Sequence, residues 1–218
     1  MRKMFLSSAG IVPETKKYFL ELLGKDPKDT LVVFIPTAAG PEKDKSYVQW
    51  TIDQIEELGM KSETVDLVDE NEKSLENKLS KCDVIIMNGG NTFYLLDQMR
   101  KSGFNKIIYK LLDEGKIYLG VSAGSYVTCP TIEAATWKNA DTNVVNLKDL
   151  TGLNLVPFII SAHYDREKYY QALLGGVNSI KLPVVALTDK QAVLVEGDNY
   201  KVVGEGERNF FNGFKEVL

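Results

Sequence analysis

The sequence predicts an α/β protein built on a doubly wound, mostly parallel sheet with helices on both faces. Three observations carry that expectation. Short, almost wholly apolar runs (TLVVFIP at 30–36, DVIIMN at 83–88, IYL at 117–119) alternate with stretches of helical spacing. Strands without polar positions suit a parallel sheet covered on both faces, and their alternation with helices is the signature of doubly wound folds. After residue 183 the pattern changes to short strands separated by turns, which predicts an antiparallel part near the C-terminus.

Taken in order, Met4–Ser8 reads as the first strand. Pro13-Glu14-Thr15 opens a helix with Pro in its first turn, continued by Tyr18, Phe19, Leu22 and Leu23. Thr30–Pro36 is a buried strand and 36–41 a loop. Val48, Ile52, Ile55 and Leu58 share one side of a helix over 43–58, which Gly59 ends. Ser62–Leu67 reads as a strand, Glu72–Lys81 as a short polar helix, and Asp83–Asn88 as a strand running into Gly89-Gly90-Asn91-Thr92. Phe93, Leu96 and Met99 mark one helix, and Ile107, Ile108, Leu111 and Leu112 a second. The strand Ile117-Tyr118-Leu119 then enters Gly120-Val121-Ser122-Ala123-Gly124. Pro130–Gly152 is polar and aperiodic, a long excursion of the kind that often serves function. Val156–Ser161 returns as a strand leading to His163, Asp165–Ile180 is helical, and Val184–Leu187, Ala192–Glu196 and Tyr200–Gly204 are short strands. There is no repeat, low-complexity tract or linker, so residues 1–218 are expected to form one domain.

Composition narrows the function. A chain of 218 residues with 44% hydrophobic and 26% charged content reads as an ordinary soluble globular protein. A net charge of -4, with no run of like charges, argues against nucleic acid or an anionic membrane as partner. Cys82 and Cys129 are too few for a disulfide framework and lack zinc-site spacing, so no metal is expected. The N-terminal apolar stretch is shorter than a signal-peptide core and nothing approaches a membrane span, which predicts a cytoplasmic protein.

The chemistry concentrates at residues 120–124. G-x-S-x-G between a buried strand and a helix start is the pattern of a nucleophile elbow, with the following backbone N–H groups directed at an oxyanion. Ser122 is therefore the candidate nucleophile. The bland alternative is a serine that merely caps a helix. His163 is the chain's one histidine and thus the one candidate imidazole base. Backbone N–H groups of Gly90 and Ala123 could meet as an oxyanion hole if their strands are neighbours, and Asn91 in the same turn is a candidate substrate contact. For the acid that orients the imidazole, Glu133, Asp141, Asp149 and Asp165 lie in the right part of the chain. Asp165 fits better as a helix N-cap, so Glu133 is the first choice and Asp141 the second. Arg166 is a candidate contact for a substrate carboxylate.

The blocks Gly89-Gly90-Asn91-Thr92-Phe93-Tyr94-Leu95-Leu96, Gly120-Val121-Ser122-Ala123-Gly124-Ser125 and Cys129-Pro130-Thr131-Ile132 resemble the dipeptidase E (aspartyl dipeptidase) family of serine peptidases, which includes the cyanophycinases. The resemblance spans nearly the whole chain. It implies a fold like that of the class I glutamine amidotransferases, no cofactor, and peptidase chemistry at Ser122 with His163 as base and Gly90 and Ala123 as oxyanion donors. In that family the acid follows the CPTI block, and a strict count places Trp137 there, so Glu133 or Asp141 has to supply the carboxylate. Arg166-Glu167 with Leu173-Leu174 matches the arginine context of the aspartyl enzymes. The expectation is a peptidase for small peptides, dipeptides with N-terminal Asp among them, working as a monomer or homodimer. A non-catalytic binding relative, or an amidase or esterase, are the alternatives.

Overall fold

The computed structural model describes residues 1–138 and 141–218. Its elements run β1 (Lys3–Ser7), α1 (Pro13–Leu23), β2 (Leu31–Ile35), α2 (Ser46–Glu57), β3 (Lys61–Thr64), α3 (Glu72–Leu79), β4 (Val84–Met87), α4 (Thr92–Ser102), α5 (Phe104–Asp113), β5 (Ile117–Val121), α6 (Ala123–Tyr126), β6 (Ile159–Ser161), α7 (Arg166–Ser179), β7 (Val184–Ala186), β8 (Gln191–Glu196), β9 (Asn199–Gly204) and β10 (Asn209–Phe211). Seven strands form one sheet in the order β3-β2-β4-β5-β1-β8-β9, and β10-β7-β6 form a second. In the large sheet β3, β2, β4, β5 and β1 are parallel, whereas β8 and β9 are antiparallel.

The apolar runs become central strands because both faces are covered. Met4, Leu6, Val33, Ile35, Ile85, Met87 and Tyr118 point to a core shared with Leu75 of α3, Leu95 of α4 and Ile108 of α5. Their neighbours Phe5, Val32, Phe34, Val84, Ile86 and Leu119 point the other way, against Phe19 and Leu22 of α1 and Ile55 of α2. The two-residue alternation of a strand divides one continuous apolar run between two cores. Edge strand β3, by contrast, is exposed along its length. Pro13 opens α1 and Gly24, in the left-handed region, closes it. Cys82 and Cys129 are buried free thiols, and among the described residues no helix is long and apolar enough to cross a membrane.

Two features of the fold position the site. The strands before His163 and before Asp189 are not part of the large sheet. β8 occupies the place beside β1, and β6 and β7 pair with each other in the small sheet. Because β8 runs opposite to β1, its first residues lie at the carboxyl end of the parallel strands. Ser7 faces Ala192, and the Ser8 N–H donates to Gln191 O at 3.2 Å. The 130–152 excursion, two residues of which (139 and 140) lie outside the described residues, is tied down at its base. Thr131 bridges Thr151, Ile132 N donates to Leu150 O at 2.9 Å, and the Arg100 guanidinium donates to Asp149 O and Thr151 O.

Candidate active site

The parallel strands deliver their carboxyl ends to one rim. β1 leads into Ser8, β4 into Asn88-Gly89-Gly90 and β5 into Ser122. Ser122 has φ 50° and ψ -108°, an uncommon conformation for a residue with a side chain. The elbow holds it by hydrogen bonds around the turn. Ser122 N donates to Ser7 O, the Ser125 hydroxyl donates to Ser7 O and Gly120 O, and the Tyr118 hydroxyl donates to Gly124 O at 2.7 Å. Gly124 is required by close approach, since a Cβ there would lie 2.0 Å from Met87 O.

His163 bridges two side chains. Its Nε2 is 2.9 Å from Ser122 Oγ and its Nδ1 is 2.6 Å from Asp189 Oδ1. Asp189 sits in the turn before β8, and its place at the rim follows from that strand's antiparallel direction. The hydrogen bond with His163 holds the Asp189 carboxyl below the usual carboxylate range. Ser8 completes the arrangement. Its hydroxyl donates to Asp189 Oδ1 at 2.7 Å and accepts the His163 backbone N–H at 2.7 Å. His163 itself has φ 55°, so Ser8 clamps a backbone that would otherwise relax.

Glu133 does not reach the imidazole. It opens a short 3-10 turn, Glu133–Thr136, and its carboxylate lies 3.5 Å from the Thr131 hydroxyl. Asp141 does line the cleft with Ser122 and His163, yet its carboxylate accepts the Thr92 N–H at 2.8 Å rather than meeting Nδ1. Asp165 is the N-cap of α7, accepting from Glu167 N and Lys168 N. Asp149 accepts Thr151 N and pairs with Arg100. Trp137, at the position counted for the family's acid, packs over Gly176 of α7, where a Cβ would collide with its ring. The carboxylate on His163 therefore comes from beyond the histidine, at a position the motif count does not visit. The signal available was an aspartate in the turn directly after a buried strand.

Gly89 and Gly90 press against the elbow. A Cβ at Gly89 would be 3.2 Å from Ser122 Cβ, and Gly90 has φ 133° with Ala38 O 2.3 Å from a Cβ position. Only glycine fits at Gly90, and it lines the same cleft as Ser122. Neither Gly90 N nor Ala123 N, the latter opening α6, has a backbone acceptor among the described residues.

Two expected substrate contacts are engaged elsewhere. Asn91 is buried; its Oδ1 caps α4 by accepting Tyr94 N, and its Nδ2 donates to Thr142 O. Arg166 is exposed, 3.5 Å from Glu207 and over the Tyr170 ring at 5.4 Å, and it does not line the cleft. The cleft encloses about 310 Å³ and is walled also by Glu42, Tyr47, Trp50 and Asn88. Burial, reinforced by the charges of Glu42, Asp44 and Asp141, pushes the Tyr47 hydroxyl up to about 12.

A family model described as peptidase family S51 matches residues 4–203. An uncharacterized peptidase of Listeria monocytogenes is 31% identical over 201 residues, covering 90% of this chain and 96% of its own. A peptidase E of Shewanella denitrificans is 27% identical over 209 residues, with 92% and 85% covered. A crystal structure of a Listeria monocytogenes protein provisionally assigned as peptidase E superposes with a TM-score of 0.83 at 28% identity, covering 94% of this chain and all of that one. With the family model spanning almost the entire chain and relatives aligned nearly end to end, the chain belongs to peptidase family S51 and is a serine peptidase.

Proposed function

We propose that the chain hydrolyses small peptides, dipeptides with N-terminal Asp among them, through Ser122, His163 and Asp189. The observation that carries this reading is the single imidazole spanning Ser122 Oγ at 2.9 Å and Asp189 Oδ1 at 2.6 Å. Asp189, accepting from Nδ1–H, keeps Nε2 as the basic nitrogen and stabilises the imidazolium once it forms. Ser122 Oγ attacks the scissile carbonyl carbon while Nε2 takes its proton. The oxyanion lies against Gly90 N–H and Ala123 N–H. His163 then passes the proton to the leaving amine, the C–N bond breaks, and an acyl-Ser122 remains. Water, deprotonated by the same Nε2, releases the acyl group and restores Ser122.

The mechanism uses side chains and backbone alone, and the 310 Å³ cleft has room for a dipeptide. The protein is read as a one-domain cytoplasmic enzyme, monomeric or homodimeric, with peptides rather than nucleic acid or membrane as partner. Labelling with a fluorophosphonate tests the nucleophile. An adduct on Ser122 is expected in the wild type and none in Ser122→Ala. A wild-type protein that stays unlabelled and cleaves no dipeptide sinks the reading.

A further inference from the structure

A second, smaller cavity opens beside the nucleophile, about 50 Å³ bounded by Ser122, Tyr126, Ala135, Lys138, Asp141 and His163. Two of its walls carry charge. Lys138 is buried, donates to Ala162 O through Nζ, and holds that ammonium 5.3 Å from the centre of the Tyr169 ring. Asp141, half-buried, accepts the Thr92 N–H. Among the described residues no carboxylate lies within 4 Å of Lys138 Nζ and no cation within 4 Å of Asp141. Opposite charges thus face one cavity without touching each other.

Withdrawing charges from water without pairing them is costly. An ammonium has three N–H donors, and Lys138 directs one of them to Ala162. A ligand bearing both an anion and a cation, close together and next to the carbonyl that Ser122 attacks, satisfies both walls at once. An N-terminal residue with a short acidic side chain has that chemistry. A cavity of this size holds roughly four water-sized groups, the heavy-atom count of a carboxymethyl side chain.

We propose that Lys138 and Asp141 select the acyl residue of the substrate, Lys138 receiving its side-chain carboxylate and Asp141 its α-ammonium. This rests on the peptidase reading above and moves the recognition of acidic substrates from Arg166, which faces solvent and Glu207, to the excursion beside the elbow. Asp141 lines both cavities, so the ammonium sits at their junction with the scissile carbonyl directed at Ser122.

Calorimetry on the Ser122→Ala protein tests the pair without bond cleavage, using Asp-Leu, Ala-Leu and N-acetyl-Asp-Leu. Adding Lys138→Met should weaken Asp-Leu by roughly tenfold or more while leaving Ala-Leu within about twofold. Adding Asp141→Asn should weaken Asp-Leu similarly and leave N-acetyl-Asp-Leu unchanged. Lys138→Gln, which keeps a donor for Ala162, serves if the methionine variant does not fold. Equal losses for Asp-Leu and Ala-Leu, no loss for either, or a parent that binds the two alike overturns the Lys138 role. An Asp141→Asn loss that persists with the acetylated peptide overturns the Asp141 role. Failure of the peptidase reading shows separately, as absent turnover and absent Ser122 labelling in the wild type.

Discussion

Asp189 holds the His163 ring at Nδ1 and Ser8 accepts the His163 backbone N–H, and their replacement should have distinguishable effects. Asp189→Asn preserves the shape of the contact but lets Nδ1 accept, which favours the wrong tautomer. A fall in kcat on the order of 10³–10⁴ is expected with the fold intact, as for the corresponding acid in other serine triads. Glu133→Gln, whose carboxylate meets Thr131 alone among the described residues, should leave kcat and KM at wild-type values. Steady-state kinetics of the two variants side by side decide between the carboxylates. Ser8 touches no reacting atom; it positions the imidazole backbone and Asp189. Ser8→Ala should therefore lower kcat by about tenfold, the value of one charge-assisted hydrogen bond, with KM unchanged. A rise in KM with kcat preserved contradicts that role.

At the scale of elements, the elbow depends on how closely β4, β5 and α6 approach. Gly124 lies so near Met87 O that an alanine there must push α6 away from β4. Gly124→Ala should cost about 1–3 kcal/mol, the range for overpacking a closed interior, and be seen as a lower denaturant midpoint. Displacing α6 also moves Ala123 N–H, so kcat should fall in the fraction that still folds. The same logic explains why the G-x-S-x-G pattern was legible. Its glycines answer to backbone contacts within a short span of chain, and Ser122 stands between them whatever the distant elements do. The second oxyanion candidate, Gly90, required the further fact that β4 neighbours β5, which the pairing of Met87 with Gly120 supplies.

At the scale of the whole molecule, closing the excursion over α7 buries Lys138. That burial lowers its pKa from 10.5 to about 8. The sign follows from proton binding: between these values the unfolded chain holds the proton and the folded one has released it, so stability rises with pH there. The penalty is fully present below pH 8 and gone above pH 10.5, and amounts to about 3 kcal/mol. Cys82, Cys129 and the buried tyrosines, whose pKa values burial raises, oppose the trend above pH 9. The comparison is therefore with Lys138→Met. Urea denaturation from pH 7 to pH 10.5 should show the variant's stability relative to wild type falling steadily as pH rises. A constant difference means that Lys138 is not desolvated by the fold.

What the sequence determined by itself is local. Apolar runs marked the central strands, Pro13 and Asp165 marked helix starts, and the glycine-flanked serine marked the elbow, because each depends on residues within one turn or strand of each other. His163 was legible by elimination, as the chain's one imidazole. The carboxylate partner was not. Asp189 reaches His163 because β8 reverses direction beside β1 and starts at the rim where the parallel strands end, and because β6 and β7 leave the large sheet to pair with each other. The surroundings of Asn91 and Arg166 were not legible for the same reason. Where a side chain points depends on which neighbours compete for it, Thr142 and Tyr94 for one and Glu207 and Tyr170 for the other. Strand order and direction are fixed by the packing of the entire sheet, so only the tertiary structure could decide which acid meets the histidine and which charges face the cavity beside Ser122.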